Sequence, residues 1–351
     1  MSFISRYNDL MLVSTHLNPL EDITSWIAGL NSTGYISDIL RTTHGISRTN
    51  EIRNCAKSIS MYARNSLGLT EQAFSGPPEV SFLPLYYAIL NLSKIYIVLS
   101  GQRAALQVNR WHGAVYPTEK NSRDLLTERV ILKQNGVLPL FYETLTGVRG
   151  WQEKKLSLDE IYPYIHDVSY EYKHAYKKPP ALQSIDISIG GNSSDGYNLT
   201  ALLVEDEHPN ASDKKYLKIL TGFQKDNSQK PTYVSQKVFQ PTEDDARNLL
   251  TQSLKRYLLY DPMPDPLRGS MRTYNLTPIS NKKLLLPEEI PIWIAFFHLS
   301  NVVRYKPEFL AQLQDSVCWP ILLTLRKHAF LKFLLLFWSY LHQTVFMLEV
   351  K

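Results

Sequence analysis

Arg110, Trp111 and His112 stand together ahead of Gly113, a step that offers an acid/base imidazole beside a phosphate-binding guanidinium. Such a pair suits a metal-independent ribonuclease or simple recognition of phosphate, and a loop histidine that follows a helix has the same appearance. Asn91 and Lys94 lie three residues apart in an apolar run, so a helix would put them on one face. They read either as a polar site opening into the fold or as a satisfied buried amide beside a snorkelling lysine. His298, Asn301 and Arg304 recur every three residues along a second apolar segment, as a binding stripe or a solvated edge would. Basic and aromatic residues interleave from Asn109 to Tyr116 (NRWHGAVY) and again from Tyr162 to Lys178. A single-stranded nucleic-acid site uses that composition, and so does an amphipathic helix with Tyr on its buried face.

Other chemistries lack their residues. No Gly-x4-Gly-Lys-Ser/Thr phosphate loop, His-Glu-x-x-His, Gly-x-Ser-x-Gly or close cysteine pair occurs. Nucleotide hydrolysis, zinc peptidase and serine hydrolase readings therefore have no basis, and no cofactor or metal is implied. The Asp/Glu-x-Lys tail of one metal nuclease pattern appears at Glu153-Lys154-Lys155, Glu171-Tyr172-Lys173 and Asp213-Lys214-Lys215, which is how a background match behaves. The acids Glu243, Asp244 and Asp245 follow Pro241-Thr242 and read as the first turn of a capped helix.

The elements that must position these residues are mostly helical. The 351 residues allow about two domains at roughly 100 to 200 residues each. With 44% hydrophobic residues, 11% aromatic and a formal charge of +5, the chain is expected to fold around a packed core. Pro84 to Ser100 is apolar nearly all round, with Gly101 as its stop, and reads as a core helix. A second helix is expected from Pro287 until Pro307, and a last one over Trp319 to Val345. Period-two alternation at Ile185, Ile187 and Ile189, then Tyr197–Val204, Tyr216–Thr221 and Thr232–Phe239, predicts a small antiparallel sheet. Residues 251–351 hold 12 Lys and Arg against 7 Asp and Glu, and Arg326, Lys327, His328 and Lys332 suggest a basic surface for nucleic acid there. Two distant cysteines, Cys55 and Cys318, and no secretory signal lead to the expectation of a cytoplasmic protein. Phe333–Leu348 is shorter than the roughly 20 residues of a spanning helix, so a buried terminal helix is expected and no membrane.

SFLPLYYAILNLSKIYIVLSG (Ser81 to Gly101), then Arg110-Trp111-His112-Gly113, then ERVILKQNGVLPLF (Glu128 to Phe141) resemble the bacterial YaaC-like family, with LSLDEIYPYI and HLSNVVRYKPEFL further on. That resemblance implies a bacterial cytosolic protein and no particular activity. The helix before His112-Gly113 is also similar to HEPN domains, all-α modules of toxins, RNases and antiphage proteins. Active HEPN RNases carry Arg-x4-6-His, and none of the 9 histidines here has an arginine at that spacing. The resemblance thus implies a HEPN-like scaffold without its catalytic motif.

The fold expected is α+β and predominantly α-helical. It has an N-terminal helical region (1–75), a HEPN-like core (76–180), an inserted small sheet (181–241) and a C-terminal helical layer (242–351). The function expected is a non-catalytic interaction or regulatory subunit of a bacterial cytosolic complex in antiphage defence, with a protein partner or a second copy of itself. A metal-independent ribonuclease and a nucleic-acid-binding module are the alternatives. The candidate site is Asn91, Lys94, Arg110, His112 and Arg304, with Arg110 and His112 as the catalytic candidates.

Overall fold

Helix signals in the sequence become helices in the computed structural model, which describes residues 9–15, 18–109, 111–117, 124–149, 153–192, 196–203, 217, 220, 222–226, 232–236, 258–260, 273–276 and 287–350. The fold is α+β and predominantly α-helical. After strand β1 (Asp9–Thr15), two short amphipathic helices, α1 (Pro19–Ala28) and α2 (Thr33–Thr42), bury Ile23, Ile27, Ile36, Ile39 and Leu40. Ser32 caps α2 by accepting the Tyr35 N–H at 3.3 Å. Helix α3 (Thr49–Ser75) buries Ala56, Ser60, Ala63, Ser66, Thr70 and Ala73 along one face. Those small residues let it lie close on α4 (Pro78–Leu99), where Ser66 Oγ donates to the Ala88 carbonyl at 3.1 Å.

Helix α4 is the spine of the molecule. Of the described helices it alone is long and apolar enough to cross a membrane, and most of its surface is covered by protein. It starts at Pro78, earlier than the expected Pro84, which sits inside the helix. Pro84 lacks the N–H that would bond the Val80 carbonyl, so the expectation of a first-turn proline fits Pro78 instead. Gly101 at φ +80° ends the helix as expected, its N–H donating to the Val98 carbonyl at 3.1 Å.

The chain continues through α5 (Arg103–Val108), β2 (Ala114–Val115), β3 (Arg129–Leu132), α6 (Val137–Thr146), β4 (Lys154–Ser157) and α7 (Ser169–Tyr176), with β2-β3-β4 forming an antiparallel sheet. The Tyr-rich segment leading into α7 is interior: Tyr162, Tyr164 and Tyr172 are buried. The segment is amphipathic, with those rings inside and Tyr170 79% exposed on its outer face.

The expected antiparallel sheet is present and larger than its assigned boundaries. β5 (Gln183–Asn192), β6 (Gly196–Leu203), β7 (Phe223–Lys225) and β8 (Thr232–Ser235) are joined by β9 (Leu258–Tyr260) and β10 (Thr273–Leu276), in the order β7-β8-β6-β5-β10-β9. The last two come from the stretch assigned to the C-terminal helical layer; at three and four residues they are too short for alternation to announce them. The third expected strand, 216–221, falls mostly outside the described residues, and Phe223–Lys225 forms β7 after Gly222 at φ +87°. The acids of 205–207 and 243–245 lie outside the described residues.

Helix α8 (Glu289–Tyr305) packs against α4 and is buried over most of its length. It is followed by α9 (Pro307–Gln314), α10 (Trp319–Thr324), a π-turn over Leu325–Ala329 and α11 (Phe330–His342). The helix expected to reach Val345 stops at His342, where Gln343 adopts φ +52° and the chain turns into β11 (Thr344–Val350). β11 pairs in parallel with β1, from Asp9↔Thr344 to Thr15↔Val350. The expected basic C-terminal surface is partly spent inside. Arg326 donates to Ser81 Oγ and the Ala73 carbonyl, and the wholly buried Lys332 sits 3.2 Å from Glu288 and 3.4 Å from Asp167.

Candidate functional site

The same triplet appears on the two helices that pack against each other. On α4, Tyr87, Asn91 and Lys94 occupy positions i, i+4 and i+7; on α8, Phe297, Asn301 and Arg304 do the same. That spacing lines each set along one helix face. Both aromatic rings lie 6.1 Å from the imidazole of His112. Both asparagines are buried and donate Nδ2 to the carbonyl of their own aromatic residue at 2.7 Å. His112 thus sits between two matching helix faces, each carrying a cation one turn beyond its asparagine.

The loop that brings His112 there is held by two glycines. Gly113 (φ +83°) and Gly136 (φ +125°) pass so close that a Cβ on Gly136 would lie 2.4 Å from the Gly113 backbone. This contact lets the first N–H groups of α6 reach back: Val137 N–H donates to the Trp111 carbonyl at 2.9 Å and Leu138 N–H to the His112 carbonyl at 3.0 Å. The free donors of a helix start are satisfied by the histidine loop itself. The Trp-His-Gly step and the Asn-Gly-Val-Leu-Pro run, separate in sequence, are one structural unit.

The site is cationic. Lys94 and Arg304 both act on the His112 imidazole, which burial and then those two charges hold below its usual pKa, so the ring is neutral at pH 7. Burial also lowers Lys94, whose ammonium rests 5.3 Å over the Tyr62 ring. Arg304 is exposed and donates Nε to the Ser300 carbonyl at 3.1 Å and Nη2 to Asn301 Oδ1 at 3.2 Å. Among the described residues, neither Lys94 nor Arg304 has a carboxylate partner. Tyr86, fully buried, has its hydroxyl pushed well above the ordinary range, first by burial and then by Tyr87. It therefore keeps its proton, and the hydroxyl shares a 2.5 Å hydrogen bond with His112 Nδ1. In the tautomer in which Nδ1 accepts from that hydroxyl, Nε2 carries the ring proton and is a donor beside two cations. Two cations and an imidazole N–H are a donor set that suits an oxyanion.

A second network lies one turn away, and the sequence reading missed it. Glu128, buried at the start of β3, accepts from Tyr116 Oη, from His298 Nε2 at 3.3 Å and from Lys306 Nζ at 3.1 Å. Burial alone would raise this carboxyl, but the hydrogen bonds from His298 and Tyr116, with Lys306, outweigh it and bring it to about 2. His298 Nδ1 is buried without a partner. Glu128 thereby ties β3 to His298 on α8 and to Lys306 at its end, beside Arg304. Glu128 and Lys306 both stood in the runs ERVILK and VVRYKPE, where an isolated charge looks like a solvated one; no periodicity signals that they meet.

Of the candidates from sequence, Lys94, His112 and Arg304 are brought together, and Asn91 joins them as a bonded amide rather than a free ligand group. Arg110 lies outside the described residues. His298 and Asn301 are buried, so the line they form with Arg304 is neither a solvated edge nor an open stripe; only Arg304 is exposed. No cluster of His, Cys, Asp or Glu suited to a metal occurs among the described residues. No curated protein and no solved structure matches the chain significantly. The profile of YaaC-like proteins matches residues 29–341, which takes in α4, the His112 loop, the Glu128 strand and α8, and the chain accordingly belongs to the YaaC-like protein family.

Proposed function

We propose that this chain is a non-catalytic interaction subunit of a bacterial cytosolic complex, and that it responds to a phosphate-bearing ligand held around His112. The observation that carries the reading is the matched pair of helix faces whose Lys94 and Arg304 both act on a neutral His112, with no carboxylate among the described residues to neutralise them. Charge-assisted hydrogen bonds to an oxyanion are the strong class, so such a site gains most from a phosphate. The partner is another protein or a second copy of the chain, and antiphage defence is the setting suggested by the resemblance of the sequence before His112-Gly113 to HEPN domains, an analogy alone.

Titration of the full chain with inorganic polyphosphate tests the ligand reading. Binding that weakens with rising salt is expected, with Lys94→Met and Arg304→Met each weakening it about tenfold. Undiminished binding in both variants overturns the site. Native purification with mass spectrometry of what co-elutes tests the subunit reading, and an isolated monomer overturns it. The ribonuclease alternative needs His112 to take a proton at Nε2, and the proposed phosphate site uses that nitrogen as a donor instead, with Nδ1 accepting from Tyr86. RNA cleavage that His112→Ala abolishes would reverse that judgement.

A further inference from the structure

His112 faces inward, but the residue before it does not. Trp111 is 62% exposed, although the carbonyl of this residue is pinned by the Val137 N–H. With the 44% exposed Val115 on the same cleft, the indole forms a small apolar patch on an immobilised backbone. It borders an open cleft of about 370 Å³ lined by Gly113, Ala114, Val115, Lys133, Gln134, Asn135 and Glu153, at the small end of ligand sites. The charge of this cleft is already balanced, since Lys133 Nζ and Glu153 Oε1 pair at 2.8 Å. What remains is an aromatic face, the exposed Val115 and the amides of Gln134 and Asn135. That lining suits a flat, uncharged, hydrogen-bonding group, while Lys94 and Arg304, with no carboxylate partner among the described residues, act on the adjacent residue His112.

We propose that the Trp111 cleft receives an unstacked nucleobase, and that the phosphate ligand is therefore a single-stranded nucleic acid whose backbone lies along Lys94, His112 and Arg304. This rests on the phosphate reading above and adds the base. Trp111 supplies the stacking face, which tolerates any base because every base has a π-face. Asn135 and Gln134 present both donors and acceptors to the base edge. Tyr305, 61% exposed and with the Arg304 guanidinium 5.1 Å over its ring, provides a second exposed ring beside that cation.

The test compares two probes on the full chain, a single-stranded oligouridylate and inorganic polyphosphate, which carries the charge without bases. Trp111→Ala is expected to weaken the oligonucleotide about tenfold and to leave polyphosphate unchanged, with Trp111→Phe restoring most of the loss. Because the side chain is exposed, thermal melting should not move, and this is the control for folding. Equal affinity of wild type and Trp111→Ala for the oligonucleotide, with polyphosphate binding intact, overturns the nucleobase cleft and leaves the phosphate site standing. Failure of the wild-type chain to bind either probe overturns both.

Discussion

The neutrality of His112 gives the site a pH signature. Its pKa is lowered in the free protein by burial and by Arg304 and Lys94, and a bound phosphate adds a negative charge beside it, which raises the pKa in the complex. The complex then takes up a proton more readily than the free protein, so affinity is flat at high pH and rises as pH falls through the raised value. Binding of polyphosphate measured from pH 8 to pH 5.5 should tighten, and His112→Gln should flatten the profile while keeping a hydrogen-bond donor. A profile unchanged by that substitution would remove His112 from the site. Glu128 makes a separate, structural prediction. Glu128→Ala leaves the buried His298 and the half-buried Lys306 without their acceptor, and breaking a buried ion pair from one side costs about 3 kcal/mol. A lower urea midpoint with an unchanged slope is expected. The carboxyl is held at about 2, so its contribution is full above the ordinary carboxylate range near 4.5 and is lost as pH falls from there towards 2.

At the scale of elements, the loop and the helix behind it act as one piece. Gly136→Ala is the substitution that separates them: the new methyl would meet the Gly113 backbone at 2.4 Å, at a φ of +125° that other residues rarely adopt. Relief requires the His112 loop to move off α6, so about 2 kcal/mol of stability should go and phosphate affinity should fall with it. The α3–α4 pair lies elsewhere, so far-ultraviolet circular dichroism should keep its helical amplitude. Full binding by Gly136→Ala would show that the loop is not what positions the imidazole. This coupling also marks how far the sequence could be read. Each helix face was legible, because Asn91 with Lys94 and Asn301 with Arg304 stand out against apolar runs. The repeat of aromatic, asparagine and base on α4 and α8 was present in the letters as well. What no spacing discloses is that the two faces flank one histidine, because that follows from how α4 and α8 cross and from a glycine contact between residues 113 and 136. The missed strands β9 and β10 have the same cause, since each is too short to carry a period and is defined only by its neighbour.

Over the whole molecule, the two ends of the chain close on each other, a relation invisible to any local pattern because more than 300 residues separate β1 from β11. The closure involves two histidines. His44, at the end of the N-terminal helix pair, bonds the Leu341 carbonyl through Nε2 at 2.8 Å, and His342 lies 3.4 Å from Tyr35 Oη and against the Trp338 ring. Burial lowers both pKa values, and His342 is pushed down to about 4 by burial and by the neighbouring His44. The unfolded chain, with histidines near 6.5, therefore binds more protons than the folded one between pH 6.5 and pH 4. Stability is full above 6.5 and falls as pH drops through that window, and the loss from His342 ends near 4. His112 and His298 have the same sign, so the melting temperature should decline by several degrees between pH 7 and pH 5. Replacing His342 by Gln removes its titration while leaving an amide near Tyr35, so the variant should start lower at pH 7 and decline less steeply. A decline as steep as that of the wild type would mean that the acid-sensitive junction is not the one joining the chain ends.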